Sequence, residues 1–380
     1  MLAIATVMSW FPLLEDDIPL IDKPLDPTRR RILVLTGSVG AGHDSAAYEL
    51  RNMLQSRGAY VEVQDYIDAL PLPIRFLYKE SYGPTIQYAP WAFELMFALL
   101  EYTLVQYCVI YFLGVRPSLS KVEKWVQGFD SVVSTYPVAS QALGVLRSRN
   151  LLDVTTFTYL TDPAFHQTWF HNGIDVYATP YVDAISQAPK YHVEVNQVRP
   201  LVGEKFSKDT TSTRIAMRQH LGIHSTELLI VIVSGSLGIG KVSKTVSEIL
   251  RRPGTRVLIL CGHNEDLRME MQYCNGVIAL GWRMDLEKLY AAADVMVHNA
   301  GGMSFAEALV IGLPVVMYLP IPGHGRANAS ELARWGAVSW PKTPEELHAS
   351  ISDAVTQRSR VRLGNQELAD LIMSNRILDV

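Results

Sequence analysis

"RILVLTGSVGAGH", residues 31–43, sets the apolar run Ile32-Leu33-Val34-Leu35 against a glycine-rich turn that ends in a histidine. The same pattern returns 198 residues later as "LIVIVSGSLGIGK", residues 229–241. Each copy reads as a buried strand, a G-x-x-G-x-G turn and the start of a helix, the opening of a Rossmann-like unit. A chain of 380 residues also exceeds the roughly 250–300 residues at which a single core stops growing. Two Rossmann-like units facing each other are therefore expected.

The remaining apolar runs support this. β-Branched stretches at 61–63, 131–133 and 154–160, then at 256–261, 277–280, 294–297 and 314–319, alternate with helical patterns. Short continuous runs of this kind predict parallel sheets covered on both faces, an α/β fold. The polar stretch "RPLVGEKFSKDTTSTR" (199–214) places the boundary between the units near 200–225. The division expected is an N-terminal extension at 1–30, a first domain at 31–205 and a second at 206–380.

Composition narrows the function classes. Hydrophobic residues make up 48% and charged residues 19%, a globular balance, and the net charge is −4. The first 205 residues carry 16 Lys and Arg against 21 Asp and Glu, and the rest 18 against 17, so neither half has the basic footprint of a nucleic-acid binder. Cys108, Cys261 and Cys274 have no C-x-x-C spacing and are odd in number, which argues against a metal site or a disulfide framework and for a reducing cytoplasm. The apolar N-terminus "MLAIATVMSWFPLLEDD" lacks the basic start of a signal peptide. One stretch, "WAFELMFALLEYTLVQYCVIYFLG" (91–114), is long enough to cross a bilayer as a helix, but Glu94, Glu101 and Gln106 interrupt it. It is expected to be a core or surface-docking helix, or a greasy wall beside an apolar substrate.

Glycine turns after strands have three common explanations. Dinucleotide binding calls for G-x-G-x-x-G, which neither turn shows. A P-loop calls for G-x-x-x-x-G-K-[ST]; residues 235–242 match until Val242, which has no hydroxyl for magnesium. The third is a tight turn in which glycine only relieves strain. A further constellation, "HNAGGMSFAEALVIGLPVVMYLPIPGHGRANA" (298–329), puts Gly301-Gly302 after a strand and opens a helix with Ser304 and Glu307. Unpaired N–H groups and the positive dipole end of such a helix suit a diphosphate, and Glu307 could accept from a ribose diol.

These residues carry a resemblance. "GSVGAGHDSAA", "TDPAFHQTWFHNGIDVY" (161–177), "LGWRMDLEKLYAAADVMVHNAGGMSFAEAL" (280–309) and "PGHGRANA" (322–329) resemble, in order, the glycosyltransferase family of the plastid monogalactosyldiacylglycerol synthases and the bacterial processive diacylglycerol glucosyltransferases, and more distantly the enzyme that makes lipid II. The resemblance implies the GT-B fold and an inverting, metal-independent transfer of a hexose from a UDP-sugar to the hydroxyl of an apolar or lipid acceptor. UDP-sugar is then a co-substrate, with no further cofactor or metal. Trp282 and Arg283 would lie at the uracil, Gly301, Gly302, Met303 and Ser304 at the phosphates, and Glu307 at the ribose. Gly235, Ser236 and Gly238 would face the donor across the cleft, with His324 and Asn328 at the sugar. Gly42, Tyr82, His166, Trp169 and His171 would line the acceptor side. One departure is that the family's glycine-glutamine-glutamate is Gly323-His324-Gly325 here, which removes an acidic partner for the sugar hydroxyls.

The transfer requires removing the acceptor's proton as the new bond forms, work suited to His43 at a helix start, where the dipole disfavours the imidazolium. Asp162 is the second candidate for the catalytic chemistry, through acceptor contact or by orienting the base. Peripheral membrane contact fits a lipid acceptor, but the acidic first half weakens attraction to anionic lipid, so a small soluble natural product is the alternative acceptor. A UDP-sugar epimerase and a P-loop-like nucleotide hydrolase are the competing activities. Oligomeric state is not legible.

Overall fold

The structure, a computed structural model, describes residues 28–207, 210–356 and 362–374. The extension expected at 1–30 lies outside the described residues except for its last three.

Among the described residues the chain forms two all-parallel sheets. The first has β1 (Arg31–Thr36), β2 (Tyr60–Asp65), β3 (Ser131–Ser134), β4 (Thr155–Tyr159), β5 (Val176–Thr179) and β6 (Val195–Gln197), in the order β2-β1-β3-β4-β5-β6. The second has β7 (Leu228–Val233), β8 (Thr255–Leu260), β9 (Val277–Leu280), β10 (Val295–His298) and β11 (Val315–Met317), in the order β11-β10-β7-β8-β9. In both, the strand of the quoted repeat lies inside the sheet with a parallel neighbour on each side, β1 between β2 and β3 and β7 between β10 and β8. This is the expected α/β class, two Rossmann-like units.

The repeat strands show why. On β1, Ile32 and Val34 face α1 (Ala41–Ser56), packing with Ala46, Ala47, Leu50 and Leu54, while Leu33 and Leu35 face the opposite layer with Tyr66 and with Ala139 and Leu143 of the helix Pro137–Ser148. Here α2 is Leu72–Tyr88, α3 is Pro90–Leu99 and α4 is Pro137–Ser148. On β7, Ile230 and Ile232 pack with Val246 and Ile249 of α5 (Val242–Leu250), and Leu229, Val231 and Val233 point the other way. Alternate residues of one strand thus bury in different layers, the arrangement that requires an unbroken apolar run. All these strand residues are 5% exposed or less, and truncating any of the leucines to alanine costs about 2–5 kcal/mol.

Three further helices bear on the site or the first sheet: α6 (Met303–Ile311), α7 (His324–Arg334) and α8 (Leu368–Ser374). The last of these returns to the first sheet, where Leu368, Ala369 and Ile372 bury beside Ile32, Val34 and Leu50.

The 91–114 stretch is not one helix. It breaks into α3 and a segment from Thr103 to Val115, ending in a π-helix at Tyr107–Val115, and the two parts meet at 107°. Glu101 fixes the break: its carboxylate accepts from the Gln167 N–H at 3.0 Å and pairs with Lys190 at 2.5 Å. Among the described residues no single helix is long and apolar enough to cross a membrane.

Candidate active site

In parallel sheets of this kind, ligand sites form where loops leave the carboxyl ends of the strands. Here those ends face one another, and the predicted residues of the two halves meet there. The Ala41 N–H, at the start of α1, donates to Ser236 Oγ at 3.3 Å. Met303 Cγ stands 3.6 Å from where a Cβ on Gly42 would project. Asn328 Nδ2 donates to Asp162 Oδ1 at 2.8 Å while its Oδ1 accepts from the Ala164 N–H at 3.0 Å.

His43 is at the centre. Its Nδ1 lies 2.6 Å from the Thr135 carbonyl oxygen, which can only accept, so Nδ1 carries the proton and the lone pair is on Nε2. The ring packs edge-on to Tyr136 at 5.3 Å and near Trp169 at 6.0 Å. Burial lowers its pKa, opposed by the Asp162 charge and the Thr135 bond, so the imidazole is kept neutral with an anion near enough to balance an acquired charge. Asp44, in the same turn of the helix, is held instead by Thr36 and Ser38 hydroxyls at 2.7 and 3.1 Å.

The second half contributes two strained turns. Gly235, Gly238 and Gly240 all have positive φ, and a Cβ on Gly238 would lie 2.3 Å from the Cys261 carbonyl oxygen. Gly301 (φ +112°) and Gly302 (φ +69°) turn the chain into α6, with a Cβ on Gly301 meeting Asn328 at 2.7 Å. Only glycine fits such positions. His298, which the sequence reading passed over, holds this turn: its Nε2 accepts from the Gly301 N–H at 2.8 Å and its Nδ1 bonds the Val233 carbonyl at 2.8 Å.

Glu307, in the next turn after Ser304, has its carboxyl pushed by burial up to about 7, opposed by Lys205 and the Tyr290 hydroxyl. Lys205 lies in the stretch joining the two halves and pairs with Glu287 at 3.3 Å. Trp282 stacks on His263 with ring centres 4.6 Å apart, a partner the sequence reading did not find. Arg283 is held by both oxygens of Asp285 at 2.6 and 2.8 Å.

His324 sits among Tyr82, Phe93 and Phe97 of the first half, with ring centres 6.2 to 6.5 Å away, and its Nε2 is 3.3 Å from the Tyr82 hydroxyl. Burial lowers its pKa, with Asp162 opposing and His43 and His166 adding to the effect. Two predicted acceptor residues have other duties. His166 caps the 3-10 turn at Gln167–Trp169, with Nδ1 accepting from the Thr168 N–H and Nε2 on the Phe97 carbonyl at 3.0 Å. His171 is not brought to the cluster; it lies under α4, its ring filling the space a side chain on Gly144 would need, and its Nδ1 accepts from the Gly173 N–H.

Among the described residues no group of three or more His, Cys, Asp or Glu side chains is placed to share a metal ion.

Residues 43–201 match the family described as monogalactosyldiacylglycerol (MGDG) synthase, and residues 229–370 match the glycosyltransferase family 28 C-terminal domain. Among curated proteins, the processive diacylglycerol beta-glucosyltransferase of Bacillus licheniformis is 25% identical over 364 residues, covering 92% of either chain. That of Bacillus pumilus is 24% identical, over 90% of this chain and 91% of the relative. Among solved structures, MurG of Acinetobacter baumannii superposes with a TM-score of 0.57 at 18% identity, covering 91% of this chain and 100% of that one. HepE of Anabaena, in complex with UDP-glucose, superposes with 0.53 at 16% identity, covering 86% and 89%. The two family matches follow each other along the chain on the two facing sheets, and the protein belongs to the GT-B glycosyltransferases that join an MGDG-synthase-type first half to a family 28 C-terminal domain.

Proposed function

We propose that the protein transfers a hexose from a UDP-sugar to the hydroxyl of a diacylglycerol-like lipid, with inversion and without a metal ion, and that His43 is the general base. The observation that carries this reading is the His43 geometry: a neutral imidazole with Nδ1–H spent on Thr135 and Nε2 left basic, at the seam between the halves. In the transfer, Nε2 takes the acceptor's proton as its oxygen bonds to the anomeric carbon, and the bond from that carbon to the phosphate oxygen breaks, its electron pair leaving with UDP. Asp162 stabilises the imidazolium that results. The N–H groups at Gly302 to Ser304, with the dipole of α6, meet the charge of the departing diphosphate, on a turn whose Gly301 N–H is held by His298. Gly235, Ser236 and Gly238 approach it from across the cleft, Glu307 accepts from the ribose, and Trp282 with Arg283 borders the uracil.

The acceptor reading draws on the relatives' printed activity and on the surface of the first half. Trp91, Leu95, Met96 and Leu99 of α3 are 40–72% exposed and line an apolar groove of about 220 Å³ with Val105 and Val109. Leu72, Phe76 and Tyr88 of α2 are 70–84% exposed. Single exposed apolar residues are ordinary, but a run of this size beside the site fits contact with acyl chains at a membrane surface, with the protein peripheral to it.

Thermal denaturation with UDP, GDP and dTDP tests the donor side. UDP is expected to raise the melting temperature and the other two to do so less, because only ligands of the native state stabilise it. No shift with UDP would contradict the reading.

A further inference from the structure

We propose that Glu94, on the acceptor-side helix α3, is a specificity-determining residue for the hexose of the donor. This rests on the donor reading above. Sugar hydroxyls are recognised by groups that accept their O–H bonds, and carboxylates are the strongest of these. The helix facing the sugar in that reading, α7, carries no acidic residue in its first turn. Carboxylates reach its opening from the other half of the molecule. Asp162 is held by Asn328. Glu94 accepts from the Gly323 N–H at 2.8 Å, immediately before α7 begins, and pairs with Arg326 at 3.3 Å.

The attachment is rigid. Gly323 has φ +66°, and a Cβ there would come within 2.7 Å of the Phe93 ring and 3.0 Å of the Phe97 ring, so these two side chains of α3 pack directly on the turn. The helix is two-faced: Phe93, Glu94 and Phe97 point to the cleft, while Trp91, Leu95 and Leu99 point to solvent. Glu94 keeps 40% of its side-chain surface open, and two contacts leave a carboxylate with lone pairs to spare. Both contacts are to Oε2, so Oε1 is the atom left to accept, and a carboxylate fixed this way rewards one orientation of a hydroxyl and loses that hydrogen bond with the epimer.

The test compares the wild-type protein with Glu94→Gln and Glu94→Ala. The substrates are UDP-glucose and UDP-galactose with diacylglycerol in mixed micelles, and UDP binding is measured alongside. Glu94→Gln keeps an oxygen for the Gly323 N–H, so it tests the charge even where the alanine variant is poorly folded. Losing a charge-assisted hydrogen bond raises KM for the preferred UDP-hexose about ten-fold or more. The ratio of kcat/KM between the two sugars falls by a similar factor, while the Kd for UDP, which has no hexose, stays within about two-fold. A folded Glu94→Gln that keeps KM and the sugar ratio overturns the proposal. So does a variant whose UDP affinity falls by the same factor as its UDP-hexose affinity, since Glu94 would then only hold α7 in place. A wild-type protein that binds no UDP removes the donor reading itself, and this proposal with it.

Discussion

The two glycine loops are near copies in sequence and occupy equivalent places after β1 and β7, but their backbones do different things. In the second, Gly235, Gly238 and Gly240 all take positive φ, and two of them would drive a Cβ to within 2.7 Å of another atom. In the first, Gly37, Gly40 and Gly42 are absent from the positive-φ glycines; Gly40 is extended (φ −157°) with open space where its Cβ would be. One loop is a backbone device, folded so closely against Cys261 and Asn299 that only glycine fits at 238 and 240. The other is a pedestal whose task is to present His43.

The largest effect should separate the two. His43→Ala is expected to lower kcat by about 10²–10⁴-fold while leaving the Kd for UDP within about two-fold, measured by product formation and by calorimetry. Because burial holds His43 below its usual 6.5, wild-type activity is present above that lowered value and is lost as the pH falls through it. A His43→Ala protein that turned over normally would make the first loop another phosphate cradle.

Next in size, Gly238→Ala should fail where Gly40→Ala does not. The alanine at 238 meets a left-handed conformation and the Cys261 carbonyl at 2.3 Å, for a loss of about 1–3 kcal/mol in chemical denaturation and weaker UDP binding. Equal tolerance at both positions would erase the distinction.

A subtler effect is set by Glu307. Its carboxyl is raised from 4.5 to about 7, so the fold holds that proton more tightly than the unfolded chain does. Stability from this group is full below about 4.5 and is lost as the pH rises through 7. Donor binding runs the other way if the carboxylate accepts from the ribose: UDP affinity should climb through pH 7, more steeply than in Glu307→Gln. Parallel profiles would remove Glu307 from the donor site. The smallest effect is Gly40→Ala, expected within about 0.5 kcal/mol of wild type.

The sequence made the sheets legible because parallel strands buried on both faces must be continuous apolar runs, as at Leu33-Val34-Leu35 and Ile230-Val231-Ile232. It hid β5 and β6, where four and three residues with Tyr177, Asn196 and Gln197 leave no run to see. It brought out His43, Asp162, Gly301 and Asn328 as local patterns, but not how they combine. The Asp162–Asn328 bond spans 166 residues and Glu94–Gly323 spans 229, and no periodicity records a partner at that distance. For the same reason Glu94 reads in sequence as an interruption of an apolar run, and His171 as a site histidine when it packs beneath α4. His298 was readable in principle, since a histidine ending a buried strand just before two glycines needs partners for both nitrogens.

The most direct test is product analysis with the wild-type protein, diacylglycerol micelles and UDP-glucose or UDP-galactose. The prediction is a β-linked hexosyl-diacylglycerol formed with one UDP released per transfer, at a rate lower by about 10²-fold or more with His43→Ala. Release of UDP without a glycolipid, or an epimerised UDP-sugar formed without acceptor, would contradict it.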